Sequence, residues 1–240
     1  MKEQLILTLI ILISTLPIIL IFRENKANFT KNIGLLTLYH IVYVILIFLP
    51  LTFTYLSISD SKMNWTGKLL AIIFSITIYF ITRKYFKKHD FILSLPRKGS
   101  RKRILIVGLI TVLTMSLLTI AFSGRKDLNL DVLFYQIIMP GLDEELWRGI
   151  LLGFLILILK DKKYKLGHPA VWVITLIFAL GHSLYLQNGD FSFALDAFII
   201  TGILGYILGW MIYYSRSILP AIIFHNLINF STNALEMFVL

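Results

Sequence analysis

The chain has 240 residues, 58% of them hydrophobic and 15% charged, and its mean hydropathy of +0.82 lies far above that of a soluble domain. That excess excludes a water-soluble globular fold. The absence of cysteine excludes disulfides, thiolate nucleophiles and thiolate zinc sites, and the net charge of +10 sits between apolar runs, which does not indicate nucleic acid.

The first uncharged run extends from Gln4 to Phe22 and is interrupted only by Pro17. It reads as a retained helix. A cleaved leader has a shorter apolar core and small residues near a cut site, whereas here the charged stretch RENKANFTKN follows. Further runs cover roughly residues 33–56, 69–82, 104–122, 132–159, 169–186, 197–214 and 218–235, the third of the eight being the shortest. At 1.5 Å per residue, about 19 helical residues cross a hydrocarbon layer of about 30 Å. Backbone groups in lipid must be satisfied within helices or closed barrels, and these runs lack the alternation of barrel strands. The expected fold is an all-α integral membrane protein of about eight transmembrane helices in one bundle. No internal repeat or long polar linker divides residues 1–240, so a single polytopic domain is expected.

Lysine and arginine alternate across these runs. The first, third, fifth and seventh connections carry three, nine, four and one, whereas the opposite side carries five in all and Arg148 lies inside a span. Cytoplasmic loops hold the excess of such residues, so both termini are expected to be extracytoplasmic. The nine-residue basic cluster, from Arg83 to Arg103, reads as a topology determinant touching anionic lipid. With only Tyr85, Phe86 and Phe91 interleaved, it is a poor nucleic-acid site.

Ionisable groups within spans are costly and call for a partner or a task. The densest set is Pro140-Gly141-Leu142-Asp143-Glu144-Glu145-Leu146-Trp147-Arg148-Gly149. Glu144 and Arg148 share a helical face, while Asp143 and Glu145 point about 100° to either side of Glu144. A lone acid–base pair would read equally well as a packing device, but here three acids face one base. His182 ends the segment FALGH, and His225 and Asn229 stand at i and i+4 in the eighth run. Each alone is as consistent with interfacial placement or interhelical hydrogen bonding. His40 and Asp196, without partners at helical spacing, read as structural.

Together the three segments hold the parts of a hydrolytic site: a carboxylate to deprotonate water, imidazoles to move a proton, and donors for an oxyanion. HExxH, GxSG and GxGD motifs are absent. Depth is the obstacle. Were the fifth span one helix from Val132, Glu144 would lie roughly 18 Å below the outer face and His182 only about 6 Å. The reading therefore puts a break near Pro140-Gly141, with residues 132–139 re-entrant or interfacial and a new helix starting near Asp143, its dipole favouring the acids.

At these residues the sequence resembles the CAAX-protease and bacteriocin-processing (Abi) family of intramembrane proteases, whose motifs run EExxxR, FxxxH and HxxxN. All three occur in order over about residues 131–232, with Gly202, Gly205 and Pro220 also matching. One position departs: aligned on Arg148, the family's first glutamate falls on Asp143 and its second on Glu144. The resemblance implies that Asp143, or Glu144 in its stead, is the base and that His182 assists it. It further implies that His225 and Asn229 form the oxyanion hole and that Arg148 holds the acids. Glu145 would serve only in another register. By the same resemblance the protein is a glutamate-type endopeptidase of the bacterial cytoplasmic membrane, working without a cofactor, although the histidines, carboxylates and amide have the chemistry to bind zinc. Its substrate would be a membrane-associated peptide: a pheromone or bacteriocin leader, or a lipidated C-terminus. Two other readings remain open, a non-catalytic membrane regulator or immunity factor and a proton-coupled transporter.

Overall fold

The computed structural model describes residues 1–24, 28–58, 61–84, 86, 93–160, 162, 164–165 and 167–239. Of the basic residues used to orient the chain, Lys26, Lys87, Lys88 and Lys163 lie outside the described residues, as do Tyr85 and Phe91 of the basic cluster.

Among the described residues eight long helices carry the fold: α1 (Lys2–Phe22), α2 (Phe29–Thr52), α3 (Trp65–Thr82), α4 (Arg101–Phe122), α5 (Leu130–Ile158), α6 (Pro169–Ser183), α7 (Leu195–Ser215) and α8 (Leu219–Phe238). A hairpin of β1 (Leu184–Gln187) and β2 (Asp190–Phe193) links α6 to α7. The sequence reading ran its sixth span on through Leu186 and did not foresee the hairpin. Its turn is Asn188-Gly189, both at positive φ, the pairing that a two-residue hairpin requires.

The first four helices and α7 are long and apolar enough to cross a membrane, and they expose large aliphatic side chains such as Ile13, Leu109 and Ile203 to what would be lipid. The chain is an integral membrane protein of all-α architecture. α5 is the axis. From Leu146 to Ile156 every side chain is buried, with α2, α3, α6 and α8 packed around it. Successive helices alternate direction, and the connections pair accordingly. Lys160 donates to the Phe22 carbonyl at 2.9 Å at one end of the bundle, and Lys126 to the Glu236 carbonyl at 2.8 Å at the other, where both termini lie.

The expected break in the fifth span is not found: α5 is continuous for 29 residues with Pro140 inside it. The reason lies in α8. Pro140 has no N–H to give, but Asn226 stitches the weak point. Its Oδ1 accepts the Gly141 N–H at 2.7 Å and its Nδ2 donates to the Ile138 carbonyl at 3.2 Å. Gly141 permits the approach, since a Cβ there would lie 2.6 Å from Asn226 Oδ1 and from the Ile222 carbonyl. The depth argument fails with the break. A helix of 29 residues is about 43 Å long and exceeds the hydrocarbon layer, so counting down from its first residue overstates depth.

Candidate active site

Four helices deliver ionisable groups to the middle of α5. Asp143 Oδ2 accepts from the Tyr43 hydroxyl of α2 at 2.9 Å and lies 3.1 Å from Lys68 Nζ of α3. The same ammonium donates to Glu144 Oε1 at 2.6 Å. Glu145 turns the other way: Arg148 Nε donates to its Oε2 at 2.8 Å, and His225 Nδ1 of α8 donates to its Oε1 at 2.8 Å. His225 Nε2 then faces Glu144 Oε2 at 3.6 Å. Three acids thus meet two cations and an imidazole, all on buried or nearly buried side chains, as low-dielectric surroundings demand. Among the described residues Asp143 Oδ1 has no hydrogen-bond partner.

Arg148 is fully buried, with its guanidinium 4.2 Å from the centre of the Phe178 ring. Gly205 of α7 admits this stack, since a Cβ there would meet Phe178 at 2.9 Å. His182 follows one turn later on α6, and its Nδ1 donates to the Phe178 carbonyl at 2.8 Å. That bond fixes the tautomer of the neutral ring, leaving Nε2 as an acceptor.

Asp143, Glu144, Lys68 and His182 line one cavity of about 560 Å³. Leu7 and Ile11 of α1 and Val44 and Ile47 of α2 form apolar walls. The expected meeting of acids and histidines therefore occurs, across a continuous α5. His225 joins the acids through Glu145 and Glu144 without lining the cavity, and Asn229 is the exception to the meeting. It lies one turn beyond His225, outside the cavity lining, and its carbonyl accepts from Thr232 and Asn233. His40, expected to be structural, accepts through Nδ1 from the Trp147 indole at 3.0 Å and also lines the cavity, and Asp196 sits exposed in the first turn of α7. Among the described residues no group of three or more histidines and acids is arranged to hold a metal ion.

Sequence reasoning missed Lys68, which it counted with the outer loop, and it missed Tyr43 and Asn226 and set Glu145 aside. The signal for Lys68 was the charge imbalance itself: three acids beside one arginine in a span require more cations, and Lys68 starts the shortest span.

The fold and site define a class: an all-α membrane protein whose central helix presents carboxylates, and whose α6 presents a histidine, to a cavity near one end of the bundle. Residues 126–231 match the family model described as type II CAAX prenyl endopeptidase, Rce1-like. The match bears out the resemblance carried by the three motifs, and over this stretch the chain is similar to the CAAX-protease family. No curated protein and no solved structure matches the chain.

Proposed function

We propose that the protein is an intramembrane endopeptidase in which Glu144 and His182 activate water held between them in the cavity. The observation that carries this is their shared cavity, with His182 Nε2 left as an acceptor. Glu144 takes the proton as the water oxygen adds to the scissile carbonyl carbon. The proton then passes to the amide nitrogen, the C–N bond breaks, and a carboxylate and an amine leave. Asp143, although it occupies the family's first-glutamate position, is one methylene shorter and is held through Oδ2 by Tyr43 and Lys68; it anchors Lys68 beside the base. His225, held by Glu145 through Nδ1, donates to the oxyanion through Nε2–H in its protonated form, Asn229 outside the cavity takes no direct part, and Arg148 fixes Glu145. No metal takes part in this scheme. The substrate is a membrane-associated peptide, either lipidated at its C-terminus or a bacterial leader or pheromone, presented in a cytoplasmic membrane.

The test is cleavage in liposomes of a farnesylated peptide ending in CaaX and of an unmodified apolar peptide. Glu144→Gln and His182→Ala should each lower kcat about 10²- to 10⁴-fold, and Asp143→Asn less. Wild-type rates in both of the first two variants would overturn the reading. The double grip of Lys68 on the acids favours a second reading, a non-hydrolytic membrane regulator whose ion cluster is structural. On that reading no variant changes cleavage, because there is none.

A further inference from the structure

All four residues of β1, Leu184 to Gln187, line the cavity, together with Gly181 and His182 just before them. Side chains of a strand alternate between faces, and here Leu186 is buried whereas Tyr185 and Gln187 are exposed. A space touched by all four therefore runs along the edge of the strand. The register identifies which backbone groups face it. Ala194 N–H donates to the Ser183 carbonyl at 2.9 Å, so Ser183 and Ala194 form a hydrogen-bonded pair. Along an antiparallel ladder such pairs alternate with non-bonded ones. Tyr185–Ser192 and Gln187–Asp190 are then bonded pairs, and Leu184–Phe193 and Leu186–Phe191 are not.

The N–H and C=O of Leu186 and the C=O of Leu184 consequently point away from β2, while the Leu184 N–H is used in capping α6 through the Leu180 carbonyl. Among the described residues no hydrogen bond reaches those three outward groups. They form an unpaired edge continuous with the cavity that holds Glu144 and His182. An unpaired strand edge in an apolar setting is a template for another extended chain.

We propose that β1 is the substrate-binding edge: the peptide enters as an extended strand, pairs with Leu186 through both backbone groups and with the Leu184 carbonyl, and so lays its next residues beside His182. This rests on the endopeptidase reading above and adds to it the conformation and register of the bound peptide. Pairing through the backbone selects an extended, unstructured segment and leaves its side chains to the cavity walls.

The chain has no cysteine, so single thiols can be introduced cleanly. In the Glu144→Gln background, Tyr185→Cys and Gln187→Cys would each be mixed in liposomes with farnesylated CaaX peptides carrying one free thiol at successive positions. Tyr185 and Gln187 would occupy non-bonded pair positions against the new strand, where facing Cβ atoms come within about 4–5 Å, close enough for disulfides. The expected result is one favoured peptide position for Tyr185→Cys and a favoured position displaced by two residues for Gln187→Cys, with Ser192→Cys on β2 unreactive. Absence of cross-linking, or a displacement other than two, overturns the proposal. The two readings fail separately. Cleavage by the wild type without the two-residue pattern defeats strand pairing alone, whereas the pattern with undiminished cleavage by Glu144→Gln defeats the catalytic assignment alone.

Discussion

Lys68 bridges the two carboxylates that face the cavity. Its ammonium separates two adjacent carboxylates, at 2.6 Å from Glu144 and 3.1 Å from Asp143, and its own side chain is only 14% exposed. Its charge is held among the acids, the reverse of the usual escape of lysine toward water. Removing it leaves two buried acids facing each other, and breaking such a buried pair typically costs about 3–5 kcal/mol. Lys68→Met should therefore lower the unfolding temperature in detergent sharply. Adding Glu144→Gln should restore much of the loss, because one acid then faces Tyr43 alone. Purely additive losses in the double variant would refute the coupling. The sequence made part of this legible. The acids, Arg148 and both histidines stood out because charge within an apolar run is conspicuous, whereas Tyr43 and Asn226 did not, since a hydroxyl or an amide in a span has many uses. Lys68 was hidden by its position at a span boundary, where lysine usually marks the edge of the membrane.

At the scale of the element, α5 shows how a neighbour overrides a local signal. Pro140-Gly141 reads as a helix stop from sequence, and in isolation it would be one. The helix continues because Asn226 supplies, from α8, an acceptor for the Gly141 N–H and a donor for the Ile138 carbonyl. No spacing rule within α5 reveals a partner 85 positions away. Helix number and order were legible because apolar length is a local property of the chain. The hairpin after α6 was not, since four-residue strands flanked by apolar helices carry no period of their own. Asn226→Ala should leave the Gly141 amide without its partner, at a cost of about 1–3 kcal/mol. Hydrogen exchange is the direct measurement: the amide of Gly141 should exchange faster in this variant while those of Leu151 and Leu152, buried further along α5, keep their protection. Unchanged exchange at Gly141 would mean that the bond is not what holds the helix through the proline.

At the scale of the molecule, the site and the charge asymmetry define a direction. The cavity is lined by the start of α1, the end of α2, the start of α3 and β1, all at the end of the bundle that carries the termini. Among the described residues the opposite end bears 13 lysines and arginines against four at the terminal end, Lys68 lying within α3. Positive residues are retained on the cytoplasmic side, so the cavity should open to the outer face. That orientation bears on substrate supply: a peptide would reach β1 from the outer leaflet, after export or by lateral movement in the membrane, and not from a cytosolic pool. Single cysteines decide it. Ser123 follows α4 at the terminal end and Ser94 precedes α4 at the basic end, both exposed. In sealed, right-side-out vesicles a membrane-impermeant maleimide should label Ser123→Cys at once and Ser94→Cys only after permeabilisation. The opposite pattern would invert the chain and turn the cavity to the cytosol. It would also mean that the nine-residue basic cluster does not set topology, and the strand edge of β1 would then have to be supplied with peptide from inside.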